Sequence, residues 1–187
     1  MPVDAAGFMS QLRQQEAMAA RALEFCILTA ARSGEVLGLR WSEIDLDKAL
    51  WTVPAERMKA GRAHRVPLCD DALAVLKQLA ETNAVAFIFG GQKPGRPLSN
   101  KAMELMLRRM KVENATVHGF RSSFRDWAGN VSSFPREVVE TALAHVIGDK
   151  AEQAYRRSDA LEKRRKLMEA WECYCQPRAG KVIQLRR

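Results

Sequence analysis

From Phe8 to Ala31 the chain runs without a proline or a glycine, in a stretch rich in Ala, Leu, Met, Gln and Glu. Met18, Ala22, Phe25, Cys26 and Thr29 recur at helical spacing, and Leu23 and Ile27 widen the apolar stripe. Such spacing predicts a helix buried on most of its faces, and a helix of that kind needs other elements packed all around it. Arg32–Ser–Gly34 interrupts the run, and Glu35–Leu39 reads as a short helix that ends before Trp41. Arg32 therefore falls on a turn between two helices. A guanidinium fixed there by packed neighbours is well suited to hold an anion.

Beyond Trp41 the character changes. Leu50–Val53 and His64–Pro67 read as two short strands joined by a hairpin through Lys59–Ala–Gly–Arg62. Phe87–Phe89 is brief and apolar, and suits a third strand or a buried turn. Asp70 is placed to cap a helix through Ala80, and Ser99 one that runs to Met110. A helix is expected from Thr116 to Gly129. Pro135 suits the first turn of another through Leu143, and Ala151–Arg156 reads as a short one. Leu161, Met168, Trp171 and Cys175 form the stripe of a last helix, opposite Glu162, Lys163, Arg165, Lys166 and Glu169. The expected fold class is α+β, mainly helical with one small antiparallel sheet.

The 187 residues suffice for one domain with a proper core. Thirty Lys and Arg against 22 Asp and Glu give a formal charge of +8. That excess favours a polyanionic partner, nucleic acid before an anionic membrane. No apolar run approaches the ~20 residues of a membrane-spanning helix. A cytoplasmic protein is expected, associated with the nucleoid in a bacterium. Cys26, Cys69, Cys173 and Cys175 form no C-x-x-C pair and read as reduced thiols.

Chemistry concentrates in an ordered set: Ala31–Arg–Ser–Gly–Glu35, then His118–Gly–Phe–Arg121, then His145 with Tyr155 ten residues on. Arginine clamps an anion, histidine moves protons, and tyrosine can become covalently attached. Taken singly, each residue is ordinary: either histidine could be structural, and Tyr155 could belong to the core. His64 is read as a strand-start residue outside the site.

Arg32 with Glu35, Lys59 on a hairpin, His118-x-x-Arg121, Leu143–Ala–His145 and Tyr155 together resemble the catalytic domain of tyrosine recombinases, the phage integrase family. Leu39–Arg–Trp41, Arg65–Val–Pro–Leu68 and Leu167–Met–Glu–Ala–Trp171 point to its prophage branch. The resemblance spans about Ala17 to Tyr174 and implies the fold of a DNA breaking-rejoining catalytic domain. It implies a site-specific recombinase that cuts and rejoins DNA through a 3′-phosphotyrosine, to integrate or excise a mobile element. Tyr155 is then the nucleophile, His118 its base and Lys59 the acid that protonates the leaving 5′-oxygen. Arg32, Arg121 and His145 bind the phosphate oxygens, and Glu35 orients His118 or Arg32. No cofactor, metal or ATP is required, because the covalent link conserves the phosphodiester. The family often has Leu–Gly–His where this chain has Leu143–Ala–His145; the extra methyl is expected to be tolerated.

The partners implied are double-stranded DNA attachment sites and other protomers in a synaptic complex, with no membrane. Arg62, Lys93, Arg96 and Lys101 are expected to follow the DNA backbone. Residues 1–176 are expected to form the catalytic domain. Residues 177–187 form a basic tail, in which Val182–Leu185 can add a strand to a sheet, in cis or on a neighbouring protomer. The N-terminal core-binding domain of complete integrases is expected to be absent and DNA binding correspondingly weak. Three rivals carry different chemistry: a non-catalytic DNA-binding module, a metal-dependent phosphoesterase built on the histidines, and a type IB topoisomerase.

Overall fold

A computed structural model of the chain describes residues 5–80, 86–145 and 160–176. The elements, in order, are α1 (Ala5–Arg13), α2 (Met18–Thr29), α3 (Ser33–Leu37), β1 (Ile44–Asp45), β2 (Leu50–Val53), β3 (His64–Pro67), α4 (Asp70–Ala80), α5 (Ala102–Arg109), α6 (Val117–Asn130), α7 (Arg136–Ala142) and α8 (Leu161–Cys175). The three strands form one antiparallel sheet in the order β1-β2-β3, with Trp51 opposite Val66 and Val53 opposite His64. The mainly helical α+β class is therefore observed. The expected helix over Ala151–Arg156 and the strand over Val182–Leu185 lie outside the described residues.

α2 is the axis of the molecule. It packs against α1, α3, α4, α5, α6 and α8. Ala20, Ala22, Leu23, Phe25 and Leu28 have no exposed surface, so all sides of the helix are covered, as its wide apolar stripe requires. Phe25 carries the core outward to Trp51 of the sheet and to Phe89, each with ring centroids 5.6 Å away. On the opposite flank Phe124, Trp127, Trp171 and Tyr174 pack α6 onto α8. The Trp171 indole donates to Ile27 O at 2.8 Å, satisfying the ring's polar atom inside the core.

The helix expected over Phe8–Ala31 is two helices, broken at residues 14–17 with no help from proline or glycine. Arg21 explains the break. Its guanidinium donates to Arg13 O at 2.8 Å and Gln15 O at 2.9 Å, so carbonyls freed at the end of α1 find a charged donor. The buried Glu24 carboxylate lies between Arg13 Nε, at 2.6 Å, and Arg21 Nη1, at 2.7 Å. Arg13 also reaches Asp71 of α4 at 2.6 Å. The pairs that Arg13 makes, with Glu24 and Asp71, leave no periodic trace in the sequence.

Smaller corrections concern the sheet and the helix ends. Of the two readings of Phe87–Phe89 the turn holds, with Ile88 and Phe89 buried and Ile88 N donating to Leu39 O at 3.0 Å, while Ile44–Asp45 supplies the third strand. Asp70 is the first helical residue of α4 rather than the residue before it. Lys101, not Ser99, precedes α5, and Pro135 precedes α7 rather than opening its first turn. On α8 the buried stripe runs through Arg164, Leu167, Met168, Trp171 and Cys175, with Leu161 only partly covered. Arg164 is fully buried and donates to Arg65 O of β3, so a cation occupies a position that apolar periodicity assigns to the core.

Glu24→Ala would remove the buried carboxylate that Arg13 and Arg21 share. Removing one partner of a buried ion pair costs about 3 kcal/mol. Urea unfolding of Glu24→Ala is expected to show a loss of that order at unchanged m-value, and a loss below about 1 kcal/mol would contradict the role assigned to the pair.

Candidate active site

Two helix ends build the floor of the site. α2 closes at Ala30, whose φ of 49° is left-handed, and this turns Ala30 O away from the helix. α7 closes in the same way at Ala144, with a φ of 48°. There His145 N donates to Glu140 O at 2.9 Å and Ala144 N to Thr141 O at 3.0 Å, the paired bonds of a Schellman ending. Between these ends lies Arg121, on α6. Its guanidinium donates to both Ala30 O and Leu143 O, and its Nη2 is 3.4 Å from His145 Nε2. Arg121 is 7% exposed. Burial, and then the charge of Arg32, push its pKa down to about 10, so it stays charged at neutral pH.

Arg32 directly precedes α3. Its Nη1 donates to Glu35 Oε1 at 2.8 Å, and its backbone N–H donates to Glu35 Oε2 at 3.0 Å. Glu35 thus caps the first turn of α3 and aims the guanidinium at once. Of the two partners expected for Glu35, Arg32 is the one it holds. His118 lies in the first turn of α6, one turn before Arg121, so the two share a helix face. The Thr116 side chain starts this helix by accepting from Gly119 N at 2.9 Å. Lys59 projects from the β2–β3 connection and is exposed, as is His118.

These residues come together. Arg32, Lys59, His118 and Arg121 line one cleft of about 370 Å³, with Glu35 and Arg57. Arg32 and Lys59 also line an adjoining cleft of about 540 Å³, with Glu140 and His145. Five of the six side chains singled out as catalytic therefore border two clefts that share Arg32 and Lys59. The sixth, Tyr155, lies outside the described residues. Of the four residues expected on DNA, all are exposed. Lys93 and Arg96 line a separate cleft with Arg109, while Arg62 and Lys101 border none of these clefts.

Glu140 is the site residue that sequence reasoning missed. Its Oε2 accepts from His145 Nδ1 at 2.6 Å, and Oε1 accepts from Arg125 at 2.8 Å. Burial raises the pKa of this carboxyl, but the bonds from His145 and Arg125 outweigh it and hold the group below its usual range. Glu140 therefore fixes His145 twice, through its backbone carbonyl and through its carboxylate. With Nδ1–H engaged, the ring turns Nε2 toward the cleft. Nothing but a glutamate five residues ahead of the histidine could have signalled this.

His64 opens β3 and borders neither cleft. Its Nε2 is 3.3 Å from Ala142 O and ties the sheet to the end of α7. Burial, and then Arg164, push its pKa down to about 4, so the neutral ring donates this bond.

Arginines whose backs are held by carboxylates and carbonyls, and whose open side faces a cleft, have the chemistry to grip a phosphate-like anion. The sequence profile described as the phage integrase family matches residues 4–162. The chain belongs to that family. It is 40% identical over 148 residues to prophage integrase IntA of Escherichia coli (strain K12), covering 78% of this chain and 36% of that protein. It therefore spans little more than a third of the length of this relative. Among solved structures, the integrase from mycobacterium phage Brujita aligns with a TM-score of 0.69 at 17% identity, over 98% of this chain and 61% of that one. A lambda integrase tetramer bound to a Holliday junction aligns at 0.58 and 22% identity, over 85% of this chain and 48% of that one. The fold is that of a tyrosine recombinase catalytic domain.

Two measurements follow from this geometry. The family's frequent glycine at position 144 now has a reason: Ala144 carries a methyl in a left-handed conformation that disfavours L side chains by roughly 1–2 kcal/mol. Ala144→Gly relieves that cost but frees the unfolded chain, so it is expected to be neutral or stabilising by up to about 1 kcal/mol. A marked loss of stability on denaturation would contradict the assignment. For His64, the folded pKa lies below the unfolded value of about 6.5, so its contribution is present above that pH and lost as pH falls toward 4. Allowing for the ring's partial exposure, wild type is expected to lose on the order of 2 kcal/mol more than His64→Phe across that window. Parallel stability curves for the two proteins would refute it.

Proposed function

We propose that this chain is the catalytic domain, over residues 1–176, of a site-specific recombinase that cuts and rejoins DNA through a tyrosine. The observation that carries this reading is the convergence of Arg32, Lys59, His118, Arg121 and His145 on adjoining clefts. Tyr155 Oη attacks the phosphorus, a P–O bond to tyrosine forms, and the P–O5′ bond breaks. The phenol has an ordinary pKa of about 10, so a base is needed; His118 takes the proton. Lys59 gives a proton to the departing 5′-oxygen. Arg32 and Arg121 bind the non-bridging oxygens, where charge builds in the transition state, and His145, protonated at Nε2 as well as at the Nδ1 held by Glu140, donates a third hydrogen bond. Attack by a 5′-hydroxyl reverses these steps and reseals the strand. Glu35 and Glu140 touch no substrate and act by holding Arg32 and His145.

The substrate follows from the charge and from the family. Double-stranded DNA suits a chain of net charge +8. Assembly with other protomers on DNA is supported by the neighbour solved as a tetramer on a Holliday junction. Integration or excision of a mobile element is supported by the prophage integrase relative. Such a protein works in the bacterial cytoplasm, at the nucleoid; no described helix is long and apolar enough to cross a membrane.

A nicked duplex that traps the covalent intermediate, incubated with EDTA, is expected to yield a protein–DNA band with wild type and none with Tyr155→Phe. Loss of one such electrostatic donor costs on the order of 10²–10³-fold in rate, so Arg32→Ala and Arg121→Ala should both reduce the band to trace. A band that survives Tyr155→Phe would contradict the mechanism, and no band from any protein would favour a non-catalytic binding module. For the outlying cations, the salt dependence of duplex binding should flatten by about one unit of slope for each of Arg62, Lys93, Arg96 and Lys101 that neutralises a phosphate and is replaced by alanine. An unchanged slope in the four-fold alanine variant would remove them from the interface.

A further inference from the structure

Arg57 lines the same cleft as Lys59 and His118, but its guanidinium is engaged by groups of the protein. It lies in a single turn at Ala55–Arg57, on the strand connection that carries Lys59. Its Nη1 donates to both oxygens of Glu43, one of them at 2.6 Å, and its Nη2 donates to Glu35 O. Glu43 is held in turn by the Trp51 indole, which donates to Oε2 at 3.0 Å. Only 7% of the Glu43 side chain is exposed, so this is a pair built into the protein rather than a surface contact.

The route of the guanidinium is equally specific. It crosses Gly38, where an added Cβ would sit 2.7 Å from Arg57 Nη2. Gly38 has a φ of −90°, which any residue can adopt, so what a side chain would disturb there is Arg57 and not the backbone. The next residue along the connection, Met58, is buried, and Lys59 follows it into solvent with no partner among the described residues. Gly61 N donates to Met58 O at 2.9 Å and closes the turn beyond it. Glu35 thus joins two tasks: its carboxylate aims Arg32, and its carbonyl anchors the arm that bears Lys59.

We propose that Arg57, seated between Glu43, Gly38 and Glu35 O, is a positioning residue that sets the reach of Lys59 to the leaving 5′-oxygen. The inference rests on the acid role proposed for Lys59. Without the strut, Met58 would be the one buried side chain holding the connection between the paired ends of β2 and β3, and the ammonium would spread over positions too far from the scissile bond. Misplacement of a reacting group by about 1 Å costs up to about 10²-fold.

The test uses the full chain with two variants, Arg57→Met and Gly38→Ala; the second keeps every charge and only displaces the guanidinium. Each is assayed on two nicked duplexes that differ at the scissile bond, one with the natural 5′-oxygen and one with a 5′-sulfur. A thiolate departs without a proton, so the sulfur substrate bypasses the acid. Both variants are expected to lose about 10- to 100-fold on the oxygen substrate and to regain near wild-type rates on sulfur, as Lys59→Ala should, whereas Arg32→Ala should stay slow on both. Hydrogen exchange of the peptide spanning residues 54–63 is followed in parallel and is expected to quicken in both variants, while α2 and α4 keep their protection. Equal loss on oxygen and sulfur substrates would overturn the proposal, as would unchanged exchange over 54–63. If wild type forms no adduct with either duplex, the catalytic reading of the chain fails by itself. The exchange data then decide the strut, local quickening supporting it and unchanged protection overturning it.

Discussion

The site depends on one buried guanidinium. Arg121 donates to Ala30 O at the end of α2 and to Leu143 O at the end of α7, carbonyls that the left-handed endings of these helices leave without helical partners. A buried cation and two buried carbonyls would each be costly alone, and together they satisfy one another. The bond to Ala30 O fixes the site relative to α2, the most enclosed helix of the fold, and that helix leads within three residues to Arg32. The bond to Leu143 O fixes the turn that carries His145. A phosphate held by Arg121 is therefore registered against both.

A cluster of cations repels itself, and the pKa of Arg121 shows the strain: the charge of Arg32 helps to lower it. The protein relieves this from behind. Glu35 holds Arg32, Glu140 holds His145 and Glu43 holds Arg57, each carboxylate buried or largely so and each on the protein side of the clefts. The front is left for an anion. Lys59 and His118 differ from the rest in being exposed and unpaired among the described residues, which suits groups that exchange protons rather than bind charge.

Much of this was legible in the sequence, for physical reasons that differ from residue to residue. β2 and β3 were readable at their observed limits because Leu50–Val53 is a β-branched and aromatic run and the turn residues of Lys59–Arg62 separate it from His64–Pro67. The site residues were readable because their types and order suit one chemistry, and the fold brings five of them together. What escaped was whatever depends on how particular side chains meet in the fold, whether their partners are near or distant in the chain. The division of α1 from α2 needs Arg21 and Glu24, the burial of Arg164 needs the carbonyl of Arg65, and the role of Glu140 needs a helix ending whose alanine reads as an ordinary helix former. Ala144 shows the limit most clearly: its residue type gives no sign of the left-handed backbone it adopts.

The proposed recombinase mechanism needs Arg121 and Arg32 to present one preformed oxyanion site between two helix ends. A crystal structure of the chain with orthovanadate, which mimics the five-coordinate phosphorus of the transition state, tests this most directly. The expected result is vanadate within hydrogen-bond distance of the Arg32 and Arg121 guanidiniums and of His145 Nε2, with Arg121 still bonded to Ala30 O and Leu143 O. Vanadate bound elsewhere, or Arg121 drawn off both carbonyls to reach it, would contradict a preformed site.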